Sequence, residues 1–211
     1  MTLTLRKQIL IEVLNASTHG MAAILSLFGT IFLILKGAEL QSPLAIVSYA
    51  IYGTSLFLLF LNSTLYHSFS FTRYKSIFQK IDHSSIYLLI AGTYTPYLML
   101  SIGGWLGYGF LAVVWTLALA GIIFEISMIG KMPKLSTYLY LGLGWLSLLI
   151  LYPLAHSIEL SGIGLLALGG ITYSLGTIFY RMKHNKWMHI IWHLFVMGGA
   201  VFMFYSIWLY V

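Results

Sequence analysis

A chain of 211 residues that is 60% hydrophobic and only 8% charged is excluded from the soluble globular class, whose members carry about 25% charged residues and could not hide so much apolar surface. It has no cysteine, which rules out a disulfide framework, a cysteine zinc site and a thiol nucleophile. The net charge of +6 needs no nucleic-acid partner, because the lysines and arginines fall in the connections between apolar runs.

Seven apolar segments follow one another, each near the ~20 residues that a helix needs to cross the hydrocarbon core. They run roughly over 13–35, 43–67, 83–101, 104–127, 135–154, 160–180 and 187–210. The fold expected is an all-α integral membrane protein, a single seven-helix transmembrane domain over residues 1–211. Its 15 Tyr and 6 Trp suit two interfacial belts. The connections are short apart from 68–82, which leaves no room for a second domain. The N-terminus does not read as a cleavable signal, since no small-residue cleavage site follows a short apolar core. Interior glycines such as Gly142, Gly144, Gly169, Gly170, Gly198 and Gly199 are expected to let helices approach closely.

Orientation follows from the basic residues. Arg6 and Lys7 precede the first span, and Arg73, Lys75 and Lys80 lie between the second and third. Lys131 and Lys134 lie between the fourth and fifth; Arg181, Lys183 and Lys186 between the sixth and seventh. Ten of the 11 basic residues thus fall on one side, which the positive-inside rule makes cytoplasmic. The N-terminus is expected inside and the C-terminus outside. That polarity is the reverse of the G-protein-coupled receptor arrangement.

Ionisable groups inside spans are costly and by default mark function. In chain order the first cluster is Glu12, Asn15 and His19, which share one helix face. It fits an interfacial polar cap, with the carboxylate favoured near a helix start, and it fits a functional face equally. Ser63 and His67 follow at i and i+4 near the end of the second span. Asp82 opens the third span, where capping is its structural reading, and His83 is expected to snorkel at the interface. Glu125 lies near the inner end of the fourth span, where an interior role and snorkelling are both open. His156 and His184 look like interface or loop residues. The last span opens with Trp187-Met188-His189-Ile190-Ile191-Trp192-His193, whose imidazoles at i and i+4 lie on one face.

Topology combines these groups. The second span ends inside, and the third and seventh begin there, so His67, Asp82, His189 and His193 share one depth with Ser63. Three neutral imidazoles plus a water make the open coordination of a catalytic zinc site, in which the pKa of the water falls toward ~7. Asp82 then serves better as a base on that water than as a fourth ligand. Ser63 could orient the water or donate to the oxyanion formed on carbonyl attack. Nitrogen donors without an oxygen cage favour zinc over magnesium or calcium.

The set Ser63-x-x-x-His67, Asp82 and His189-x-x-x-His193 resembles the haemolysin III-type bacterial membrane proteins. These belong to the progestin and adipoQ receptor family, within the superfamily that also holds the alkaline ceramidases. Glu12-x-x-Asn15-x-x-Thr18-His19-Gly20, Asp82-His83-Ser84-Ser85-Ile86-Tyr87 and Ala91-Gly92-Thr93-Tyr94-Thr95-Pro96 are similar to that family too. The likeness covers almost the whole chain. It implies that His67, His189 and His193 bind zinc, that Asp82 contacts the metal's water, and that Ser63 is the serine beside the site. Glu12, Asn15 and His19 are possible supporting residues; for His19 metal contact and structural support both stay open.

The expected function is therefore hydrolysis of a lipid amide or ester by a zinc protein of the bacterial cytoplasmic membrane, with membrane lipids as its partners. No protein partner can be read from the sequence. One alternative is a non-enzymatic protein: a haemolytic pore former, or a sensor of membrane lipid state and energetics. Against a pore, the polar groups of the spans cluster at one end. Another alternative is a closed structural zinc site, for which His19 would supply the missing ligand.

Overall fold

The computed structural model describes residues 4–128, 131–182 and 184–211; Lys183 lies outside the described residues. Every regular element among them is helical: α1 (Leu5–Glu39), α2 (Pro43–Ser68), α3 (Lys75–Pro96), α4 (Gly104–Met128), α5 (Pro133–Trp145), α6 (Leu151–Ala155), α7 (Leu160–Arg181) and α8 (Trp187–Tyr210). A π-helical turn, Tyr97–Ile102, continues α3, and a 3-10 turn, Leu146–Ile150, joins α5 to α6. Grouped in this way, seven helical segments of the described residues are long and apolar enough to cross a membrane.

Local chemistry explains the boundaries, including two that differ from expectation. α1 starts at Leu5, not near residue 13, because Leu5–Asn15 contains no glycine or proline and is rich in residues that favour a helix. α3 starts at Lys75, two turns before the apolar run, so Asp82 sits inside the helix and does not cap it. Thr72 Oγ1 instead accepts from the Tyr74 amide at the helix entry. Between α1 and α2 the chain turns at Gln41 (φ 50°), and Ser42 caps α2 by accepting from the Ala45 amide, with Pro43 in the first helical position. Pro96 lacks an amide hydrogen, and the backbone beyond it widens into the π turn before Gly103 and Gly104, both at positive φ, end the segment.

α3 lies between two apolar cores. One joins α1, α2, α3 and α8 around Leu33, Tyr49, Tyr52 and Ile207; the other joins α3, α4 and α5 around Tyr87, Ala91, Val114 and Ala118. The α2–α3 contact is close at Gly92, where an added Cβ would collide with Ser55 Oγ. Gly169 and Gly199 do admit close neighbours, Met203 and Tyr173 respectively. Gly142 and Gly144 do not: a Cβ at either would meet nothing within 4 Å. They lie on α5, whose next segment is the 3-10 turn, and Gly144 borders a cavity.

At the end opposite Asp82 the spans are tied by polar contacts. Tyr97 Oη donates to Ser206 Oγ (2.7 Å), which donates to the Gly162 carbonyl (2.8 Å). Lys36 donates to the Trp208 carbonyl at 2.8 Å, compensating a terminal carbonyl of α8. Outward-facing side chains such as Leu25, Phe28, Phe32, Ile123 and Leu149 are exposed, an apolar surface suited to lipid and not to water.

Candidate metal centre

α2 ends one residue after His67, and α8 begins two residues before His189. The helix pair brings the last turn of one span against the first two turns of another. One potential ligand atom from each of His67, His189 and His193 lies within 4.8 Å of the other two. The His67 and His189 Nε2 atoms are 3.3 Å apart. Two nitrogens bound tetrahedrally to zinc at ~2.1 Å would be separated by roughly 3.4 Å. The spacing and the all-imidazole donor set therefore fit a metal of the zinc type.

The surrounding groups set the ring tautomers. Glu12 Oε2 is 2.7 Å from His67 Nδ1; a carboxylate accepts, so Nδ1 is the donor, and the uncharged form of the ring carries its lone pair on Nε2. Thr18 Oγ1 is placed to donate to the Leu14 and Asn15 carbonyls at 2.9 Å each. Its remaining capacity is to accept, and His193 Nδ1 lies 3.3 Å away. Both partners come from α1, which lies beside the histidines. Orientation of a ligating imidazole through its other nitrogen is the usual support of a metal site. Thr18 is the residue that sequence reasoning left without a role. Its signal was present, one position before His19 in the polar run of α1.

His19 does not join the three-histidine group. Its ring is 3% exposed and stacks on His193, with centroids 3.6 Å apart and planes at 10°. Phe60 meets the His19 ring edge-on, with centroids 5.1 Å apart. The closed four-imidazole arrangement is therefore not the one observed. Asn15 is buried on the same helix as Glu12 and His19.

Ser63, buried one turn before His67, provides a hydroxyl partner for the Asp82 carboxylate, and His67 and His83 are its imidazole neighbours. Asp82 stays outside the ligand group. Its neighbour His83 departs from expectation. It turns inward, with Nδ1 3.0 Å from Oε1 of Glu125, a carboxylate only 2% exposed. Tyr140 Oη donates to the His83 carbonyl at 3.3 Å, and the Ser136 and Tyr140 hydroxyls lie beside Glu125. The reason is the register of α3: with the helix starting at Lys75, residue 83 is already two turns inside it and faces α4, not the interface. Glu125 carried the sequence signal, a lone acid in an apolar span; its partner could not be read without knowing how α3 and α4 meet. His156 bonds locally to the Tyr152 carbonyl (2.9 Å), and His184 is exposed; neither belongs to the three-histidine group.

A cavity of about 290 Å³ runs between α3, α5–α6, α7 and α8. Tyr180 and Trp192 stand at its metal end, with the Tyr180 ring centroid 6.2 Å from His189 and 5.4 Å from Trp192. Leu154 and Ile163 line its far end. The space can take an apolar chain whose polar end lies toward the histidines.

Comparison with known proteins places this geometry in a family. The family model described as Haemolysin-III related matches residues 7–204. The hemolysin-3 homolog of Bacillus subtilis (strain 168) is 47% identical over 199 residues, covering 94% of this chain and 93% of that protein. Hemolysin-3 of Bacillus cereus is 45% identical over 200 residues, covering 95% and 91%. The human monocyte to macrophage differentiation factor is 31% identical over 166 residues, covering 76% and 68%. The chain belongs to the haemolysin III family, is related to a member of the progestin and adipoQ receptor family, and is a multi-pass membrane protein.

Proposed function

We propose that this protein is a zinc-dependent hydrolase of the bacterial cytoplasmic membrane, acting on the amide or ester bond of a membrane lipid. One observation carries the reading: Glu12 and Thr18 occupy the Nδ1 sides of His67 and His193, so both rings are free to offer Nε2 where His189 also reaches. Zinc held there would polarise a carbonyl and activate water at neutral pH. Asp82 stands beside the ligands and not among them, as suits a base that takes a proton from water and returns it to the departing amine or alcohol. Ser63 steadies that carboxylate through its hydroxyl. The cavity behind Tyr180 and Trp192 accepts the acyl chain and leaves the scissile bond at the metal end.

The orientation proposed puts the N-terminus and the histidines on the cytoplasmic side. It is supported by Arg73, Lys75 and Lys80 in and beside the connection that follows His67, and by Lys186 just ahead of α8. A second reading, a non-enzymatic regulator of membrane lipid state, is favoured by the same cavity, because an apolar space beside a metal centre can register a chain without cleaving it. A haemolytic pore fits less well: the ionisable side chains of the spans gather at one end, apart from Lys36 and Glu39 at the close of α1, and two apolar cores pack the helices together.

The deciding experiment is metal analysis of detergent-purified protein beside His67→Ala, His189→Ala and His193→Ala. About one zinc per chain, lost in each variant, is expected. Metal-free wild type indistinguishable from the variants would remove the hydrolase reading.

A further inference from the structure

The opposite flank of α3 borders a second cavity. A groove of about 390 Å³ lies between α2, α3 and α4, walled by Ile77, Ile81, Leu88, Ile122 and Ile126. Ile77, Ile81 and Ile126 are 57%, 41% and 48% exposed, so its apolar wall opens toward the acyl chains of the bilayer. Lys80 lines the same groove and is half-buried. Among the described residues its ammonium has no hydrogen bond and no ion pair. One turn on, Ser84 also lines the groove, and among the described residues its hydroxyl has no hydrogen-bond partner.

A half-buried ammonium without a counter-charge favours an anion, and here the anion must arrive with an apolar body. The carboxylates nearby are engaged elsewhere: Asp82 with Ser63 and His67, Glu125 with His83, and Glu12 with His67. The groove thus offers a cation and no acid, and the amine of a zwitterionic headgroup would find nothing to pair with. We propose that this groove binds one anionic phospholipid, its phosphate on Lys80 and its acyl chains along the isoleucine wall. Lys80, Ile81, Ser84 and Ser85 line the groove on the same turns of α3 that carry Asp82 and His83 inward. A seated lipid braces the helix that positions Asp82, so membrane composition reaches the metal end through α3. The inference does not depend on hydrolysis.

The test uses the full chain in nanodiscs of phosphatidylcholine alone or of phosphatidylcholine and phosphatidylglycerol in equal parts. Thermal unfolding is followed in each, and the retained lipid is identified by native mass spectrometry. Wild type is expected to melt roughly 3 °C higher in the mixture and to keep one phosphatidylglycerol. Lys80→Gln should lose both effects. Lys75→Gln, equally charged in wild type but outside the groove, should keep both. Ile122→Trp, which fills the groove and spares the lysine, should expel the lipid while the midpoint in pure phosphatidylcholine stays put. Equal loss in both lysine variants would mean diffuse surface attraction and would overturn the site. So would a retained zwitterionic lipid, or a wild type indifferent to phosphatidylglycerol.

Discussion

Glu12 Oε2 and His67 Nδ1 meet at 2.7 Å although 55 positions separate them in the chain. The contact fixes which nitrogen of His67 faces the other two histidines, and it makes α1 a structural part of a centre whose candidate ligands all lie elsewhere. Glu12→Ala should therefore lower zinc affinity by roughly 10–100-fold, the range seen when such outer partners are removed. Glu12→Gln, which can still accept from Nδ1, should lose less. Competition against a chromophoric chelator measures both, and unchanged affinity in the alanine variant would sink the assignment.

Thr18 supports His193 through a longer contact, 3.3 Å. Thr18→Ser keeps the hydroxyl and is expected to bind metal as wild type does. Thr18→Val, which keeps the shape and removes the acceptor, should weaken binding by several-fold, less than the loss of Glu12. The same chelator titration ranks the three proteins.

Asp82 separates chemistry from assembly. Asp82→Asn should retain zinc, because the carboxylate is outside the ligand group, yet cleave a fluorogenic acyl amide at least about 100-fold more slowly. Loss of metal together with turnover would make Asp82 a ligand and would require a different base.

The His83–Glu125 pair is a stability element that can be tested without any substrate. Removing the imidazole leaves a carboxylate that is 2% exposed without its partner, a change that costs about 3–5 kcal/mol in comparable buried pairs. His83→Ala should lower the unfolding midpoint sharply. The double variant His83→Leu with Glu125→Leu should recover much of the loss, since an apolar pair leaves no unpaired charge. A single variant as stable as wild type would show that the contact is not maintained in the membrane.

Gly92 tests the packing of α2 on α3. A methyl group there would lie 2.8 Å from Ser55 Cβ, too close for any rotamer to relieve. Gly92→Ala should destabilise by about 1–3 kcal/mol, and Ser55→Gly in the same chain should restore the midpoint.

Much of this arrangement is legible before any coordinates, because a bilayer enforces simple rules. Span length and the run of basic residues together bring His67, His189 and His193 to a common depth, and the helical i, i+4 spacing aligns the last two. What escapes is whatever depends on how one helix meets another. Asp82 looks like a cap when α3 is taken to begin with its apolar run; the interfacial residues Lys75–Ile81 extend the helix and move it inside. The partner of Glu125 lies 42 positions away, and no periodicity reports that distance. Gly142 and Gly144 have the composition of a close helix contact but lie beside open space.

The positions of the candidate ligands along the chain carry a consequence for biogenesis. His67 and His189 are 122 residues apart, and His193 lies in the final helix. The three histidines cannot meet until α8 has left the ribosome and entered the bilayer beside the helices before it. Closing so long a loop removes conformational freedom that shorter closures do not, and an ion captured there would add its binding energy to the assembled bundle. A chain truncated before α8 lacks His189 and His193 and cannot assemble the group, a difference open to membrane proteases that clear unfinished products.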